Sequence, residues 1–121
     1  MPQQDDHIRQ ARHNAQFLST FDLNATPYPD WAITVAFYTA VHLVEAHFAR
    51  NNIHYTDHKR RNREVSRSLR QIGRNYITLY NQSRTARYNC QHVTPADAEQ
   101  VLINDYEPVR AHLSALLRIN I

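Results

Sequence analysis

One glycine in 121 residues is the sharpest shortage in this chain. Hairpin-rich β folds and collagen-like repeats need many turn residues, so one glycine and five prolines exclude both, and a 42% hydrophobic content argues against disorder. An all-α fold remains. Cys90 is the only cysteine, so no intrachain disulfide can form, and the polar start Met1-Pro2-Gln3-Gln4-Asp5-Asp6 carries no apolar leader. A cytoplasmic protein is expected. The longest greasy run, Trp31 to Val44, falls short of the ~20 residues that span a bilayer and contains Thr34, Thr39 and His42. No membrane partner is expected.

Lysine is almost missing as well, because thirteen of the fourteen cations are arginine. Arginine forks onto phosphate and stacks on bases, whereas lysine acts as a point charge. The net charge of +3 hides an asymmetry: from His58 to Cys90 nine Lys and Arg residues accompany a single acid, Glu64. Anionic partners are favoured.

What is present reads as one helical domain over residues 1–121, with connections near 23–29, 51–56 and 90–94. The first helix is expected from Asp5 to Phe21, with Ile8, Ala11, Ala15, Leu18 and Phe21 as its apolar stripe. Pro27 and Pro29 break the chain, and Asp30 is a candidate cap for a second helix reaching about Asn51. On that helix Phe37, Val41, Val44 and Phe48 recur at core spacing. Trp31, Val35, Tyr38, His42 and Glu45 form a second face that starts greasy and becomes ionisable. Buried ionisable groups need hydrogen bonds, each orphan costing roughly 1–3 kcal/mol.

Thr56 or Asp57 can cap a third helix, in which Val65, Leu69, Ile72, Tyr76 and Leu79 alternate by four and three. The same segment carries Arg60, Arg63, Arg67, Arg70 and Arg74 at the same alternation, roughly 200° around from the apolar row. They are expected as a basic ridge, with at most a kink at Gly73. The last helix opens with Thr94, Pro95 and Asp97 in a capping box, and Pro108 should bend it because it cannot donate to Asn104.

Ala36, Phe37, Tyr38, Ala40, Val41, His42 and Ala46 resemble the second long helix of the HEPN family, which often reads Ala-Tyr-Tyr-Ala-x-Phe-His-Ala-x-x-Ala. The resemblance continues through His58 after the next loop, Ala86-Arg87-Tyr88 where the family has Ala-Asp-Tyr, and the capped Thr94-Pro95-Ala96-Asp97. It implies an up-and-down bundle of four to five helices, usually dimeric, that engages RNA or a nucleotide. A groove near His58, Arg84 and Arg87 would continue the arginine ridge.

Catalytic members are metal-independent endoribonucleases with an Arg, four to six residues, then His. Arg87 and His92 satisfy that spacing, so a toxin-type ribonuclease is an alternative. His92 would move the proton of a ribose 2′-hydroxyl while Arg87 neutralises phosphate charge. Five residues along a straight helix leave about 140° between the two side chains, so they converge only across a helix end or a dimer. Tyr88 after the arginine matches the Ala-Asp-Tyr branch, commonly taken to be non-catalytic, which favours binding over cleavage. A second alternative is an assembly partner of a nucleotidyltransferase.

His42 and Glu45 can be a bracing pair in the core or the lining of a pocket with Tyr38, and structure is the commoner meaning of such pairs. His54 and His58 could join His42 and Glu45 as a metal set, but the Thr56-Asp57 cap lies between His54 and His58, so helical spacing does not apply to them and no metal site and no cofactor are expected. Tyr76, Tyr80 and Tyr88 can stack bases, although tyrosines at helical spacing are more often core.

Overall fold

Helices make up the regular structure of the computed structural model, which describes residues 1–121 and contains no strand. They are α1 (Gln4–Leu18), α2 (Pro29–Ala49), α3 (His58–Ser68), α4 (Gly73–Tyr88), α5 (Pro95–Val101) and α6 (Glu107–Leu117), with a π-helical turn at Leu102–Tyr106 joining the last two. The fold is all-α, as composition and periodicity require.

The axis of the bundle is α2, whose sides are apolar nearly all round and which is buried along almost its whole length. Its 21 residues are long and apolar enough to cross a bilayer, longer than the Trp31–Val44 run suggests, and 83% of its most apolar window is buried by other helices. One core joins Ala11 of α1, the Phe37, Val41, Val44 and Phe48 row of α2, Val65 of α3, Tyr76 and Leu79 of α4, and Tyr106, Val109 and Leu113 of the last rod. Each large apolar side chain removed from water contributes about 1.5–3 kcal/mol.

Local chemistry accounts for the element ends. Gln3 and Asp6 form a capping box for α1, and this helix stops at Leu18, short of the expected Phe21. Tyr28 occupies the cap position of α2 and Pro29 is already helical, so Asp30 sits in the first turn and does not cap. There its carboxylate meets the positive end of the helix dipole. Asp57 caps α3 by accepting from the Arg60 amide at 2.8 Å. Thr94 accepts from the Asp97 amide and Asp97 accepts from the Thr94 amide, both at 3.0 Å, completing the capping box of α5.

One expectation needs correction. Val65 to Leu79 is not one kinked helix: α3 ends at Ser68, four residues turn, and α4 starts at Gly73. A Cβ at Gly73 would lie 3.3 Å from the Cα of Ser66, so the missing side chain lets the start of α4 press against the last turn of α3. Leu69 and Ile72 stay buried through the turn, which is why the apolar spacing alone conceals it. Pro108 is accommodated by the preceding π turn, in which the Glu107 amide reaches back to the Leu102 carbonyl. The Asn104 carbonyl that Pro108 leaves without its helical partner accepts from Asn75 Nδ2 of α4 at 3.1 Å.

Candidate functional site

The loop after α2 folds back over Glu45. Tyr55 donates its amide to Glu45 Oε1 at 3.0 Å, and Arg61 of α3 donates from Nε to Glu45 Oε2 at 3.3 Å. Glu45 is 5% exposed and Arg61 6%, so this is a buried ion pair. Arg61 also donates from Nη2 to the Tyr55 carbonyl at 2.7 Å and from Nη1 to His58 Nδ1 at 2.9 Å. All three guanidinium nitrogens are therefore engaged.

Glu45 thus serves as a core brace, but not with His42. His42 Nδ1 meets His7 Nδ1 of α1 at 3.0 Å, a contact in which one ring must donate and the other accept. Burial, then the neighbouring His7 and Arg61, push the His42 ring down to about 4, and burial lowers His7 as well. At neutral pH both rings are uncharged. The histidine–carboxylate spacing on α2 hence marks two separate contacts, one to α1 and one to α3.

Beside the Glu45–Arg61 pair lies a cluster of aromatic rings and cations. The His58 ring packs 5.5 Å from Phe37, 5.5 Å from Tyr80 and 6.3 Å from Tyr38 between centroids. Arg87 lays its guanidinium 5.9 Å from the Phe37 ring, 5.4 Å from Tyr38 and 5.2 Å from Tyr88. Such cation–π contacts contribute about 0.5–1 kcal/mol each where water is near. Arg84 stands over Tyr80 at 5.7 Å and donates to its hydroxyl at 3.3 Å. Burial and the Arg61 and Arg87 charges hold His58 below its ordinary value. Arg87 Nε and Nη1 are buried and meet no acceptor in the protein.

The structure therefore brings together His58, Arg84 and Arg87, the residues of the expected groove, places Tyr38 with them instead of with His42 and Glu45, sets the candidate stacking ring Tyr80 beside them, and adds Arg61 and Phe37. Tyr76 is core, with its hydroxyl raised by burial. The arginine ridge is divided. Arg60 pairs with Asp57 at 3.5 Å and Arg67 with Glu64 at 2.8 Å, while Arg63, Arg70 and Arg74 are exposed and free of ion pairs. Arg74 stands on α4, beyond the turn that ends the α3 row.

Arg87 and His92 do not meet within the chain. α4 ends between them at Tyr88, and Cys90 takes φ 52° as the chain turns. His92 then lines a cleft of about 390 Å³ with Ile33, Gln82, Thr85, Gln91 and Gln100, whereas Arg87 turns onto the α2 aromatics. No group of three or more His, Cys, Asp or Glu side chains is arranged to hold a metal ion. Missed by sequence spacing were the Arg61 ion pair and the His7–His42 contact, since both partners lie far apart along the chain. Compared with protein-family models, curated proteins and solved structures, the chain matches none.

Proposed function

We propose that this chain is a binding module for RNA or a nucleotide, similar in plan to HEPN proteins, that grips phosphate at the Arg84–Arg87–His58 cluster. The observation that carries this reading is Arg87: a charged group with two buried nitrogens and no protein acceptor, held over aromatic rings. Desolvated N–H groups without partners cost free energy that an anionic oxygen would recover. Tyr38 and Tyr88 supply rings beside it on which a base can stack. Lys59, Arg63, Arg70 and Arg74 add an exposed positive approach.

Filter binding of single-stranded RNA in EDTA tests the reading, with intact RNA retained and affinity falling steeply as salt rises. Salt-independent retention, or none, refutes it. Cleavage is the second reading, favoured by the helix end between Arg87 and His92. Since the two side chains face different surfaces, it requires a second copy of the chain. EDTA-resistant cleavage lost in both Arg87→Ala and His92→Ala would establish it. A cytoplasmic homodimer, or a complex with a nucleotidyltransferase, would draw on exposed side chains such as Trp31, 53% exposed, and light scattering showing only monomer removes the dimer.

A further inference from the structure

Arginine has no hydrogen-bond acceptor, so the 2.9 Å contact from Arg61 Nη1 to His58 Nδ1 has one sense: Arg61 donates and Nδ1 accepts. The ring proton of neutral His58 is then on Nε2. Burial and the nearby Arg61, Arg87 and Arg84 charges keep the ring neutral at pH 7, outweighing the Asp57 carboxylate. The arrangement contrasts with His7 and His42, where two Nδ1 atoms face each other and either can hold the proton. What fixes Arg61 is in turn Glu45, through Nε at 3.3 Å, with the Tyr55 carbonyl at 2.7 Å holding the far nitrogen. His58 itself packs over Phe37 and Tyr38, the same two rings that carry the Arg87 guanidinium.

We infer that Glu45 is a positioning residue for phosphate recognition: through Arg61 it locks His58 as the Nε2–H tautomer, which donates to a phosphate oxygen alongside Arg87. The inference rests on the phosphate-binding reading above and adds a residue that the ligand never touches. A neutral imidazole donor beside an arginine suits a nucleotide phosphate, because it binds the oxygen without bringing another charge into a crowded cationic cluster. Binding is then limited by the register of the Glu45–Arg61–His58 chain, as ring orientation elsewhere is set by the hydrogen bond at the opposite nitrogen.

Long-range proton–nitrogen NMR of the intact chain at pH 7 reads the tautomer directly. The expected wild-type spectrum shows His58 with unprotonated Nδ1 and protonated Nε2, and adding adenosine 5′-monophosphate moves the Nε2–H resonance while adenosine does not. Glu45→Gln keeps the side-chain size and an acceptor for the Tyr55 amide. It should mix the two His58 tautomers and weaken the monophosphate roughly tenfold, with the Arg87 contribution to binding retained. An Nδ1–H tautomer in wild type, a resonance indifferent to the monophosphate, or a Glu45→Gln variant with unchanged tautomer and affinity overturns the inference. If Glu45→Gln does not fold, Arg61→Lys, which keeps a cation for Glu45 and withdraws the planar donor from His58 Nδ1, takes its place, and an unchanged His58 tautomer and monophosphate affinity in that variant overturn the inference. Salt-sensitive RNA binding that depends on Arg87 while His58 stays silent overturns this inference and spares the parent reading; RNA binding absent at every salt concentration overturns the parent.

Discussion

Two guanidinium groups, one buried at the start of α3 and one half-buried at the end of α4, are used in opposite ways. Arg61 spends every nitrogen on the protein: Glu45, the Tyr55 carbonyl and His58. Arg87 lies against Phe37, Tyr38 and Tyr88 and leaves two buried nitrogens without an acceptor. A saturated arginine holds a fold together, whereas one packed on rings with donors to spare is suited to an incoming anion. Charge counted along the sequence does not separate these roles. Position does.

Breaking the saturated site should give the largest effect. Glu45→Ala leaves Arg61 as a buried charge without its counter-ion and should cost about 3–5 kcal/mol in urea unfolding. The exposed pair answers differently: Glu64→Ala, which frees Arg67, should cost under about 1 kcal/mol. Equal losses in the two variants would erase the distinction between buried and surface arginines.

Second in size is the effect on binding. Arg87→Met keeps contact with the rings and removes the orphaned donors, so stability should shift by less than about 1 kcal/mol. RNA affinity should nevertheless fall roughly tenfold or more, since a charge-assisted hydrogen bond contributes about 1.5–3 kcal/mol. Arg63→Gln, on the exposed flank, should weaken binding about two- to threefold across all RNA sequences and lower the salt slope by about 1. An order of losses reversed between the two would move the site from the cluster to the flank.

Acid provides a further contrast, between the His7–His42 contact and the arginine-braced His58. In the folded chain His42 sits at about 4, against 6.5 in the unfolded chain. The unfolded state therefore binds more protons between those values, so stability falls as pH drops from about 6.5 to about 4 and then levels off. Solvent screening of a ring that is only partly buried reduces this to on the order of 1 kcal/mol. His42→Asn should flatten the pH dependence of urea midpoints over that window, and an unchanged slope would assign the acid sensitivity to other groups.

Local chemistry was legible in the sequence, and long-range pairing was not. Thr94, Pro95 and Asp97 lie within four residues, so their cap can be read directly, while for α3 the sequence left Thr56 and Asp57 open and the structure chooses Asp57 on the amide of Arg60. The core row of α2 follows from its spacing. The turn at 69–72 was hidden because Leu69 and Ile72 stay buried in it and so keep the helical rhythm. Arg61 shares the α3 segment with Arg60 and Arg63, and only Glu45, sixteen residues earlier, distinguishes it. Of the candidate site, His58 and Arg87 follow from the motif order and Arg84 from its place beside Arg87, whereas Tyr38 was grouped with His42 and Glu45 and joins the cluster only through the packing of α2 against α4. Phe37 was assigned to the core, where it also lies, and its second role as the platform beneath Arg87 emerges from the crossing of α2 and α4.

The most direct test of the phosphate-binding account is equilibrium binding of single-stranded RNA to wild type and Arg87→Met across a salt series in EDTA. The account predicts affinity at least about tenfold weaker in the variant, a salt slope lower by about 1, and intact RNA throughout. Superimposable curves for the two proteins would contradict it.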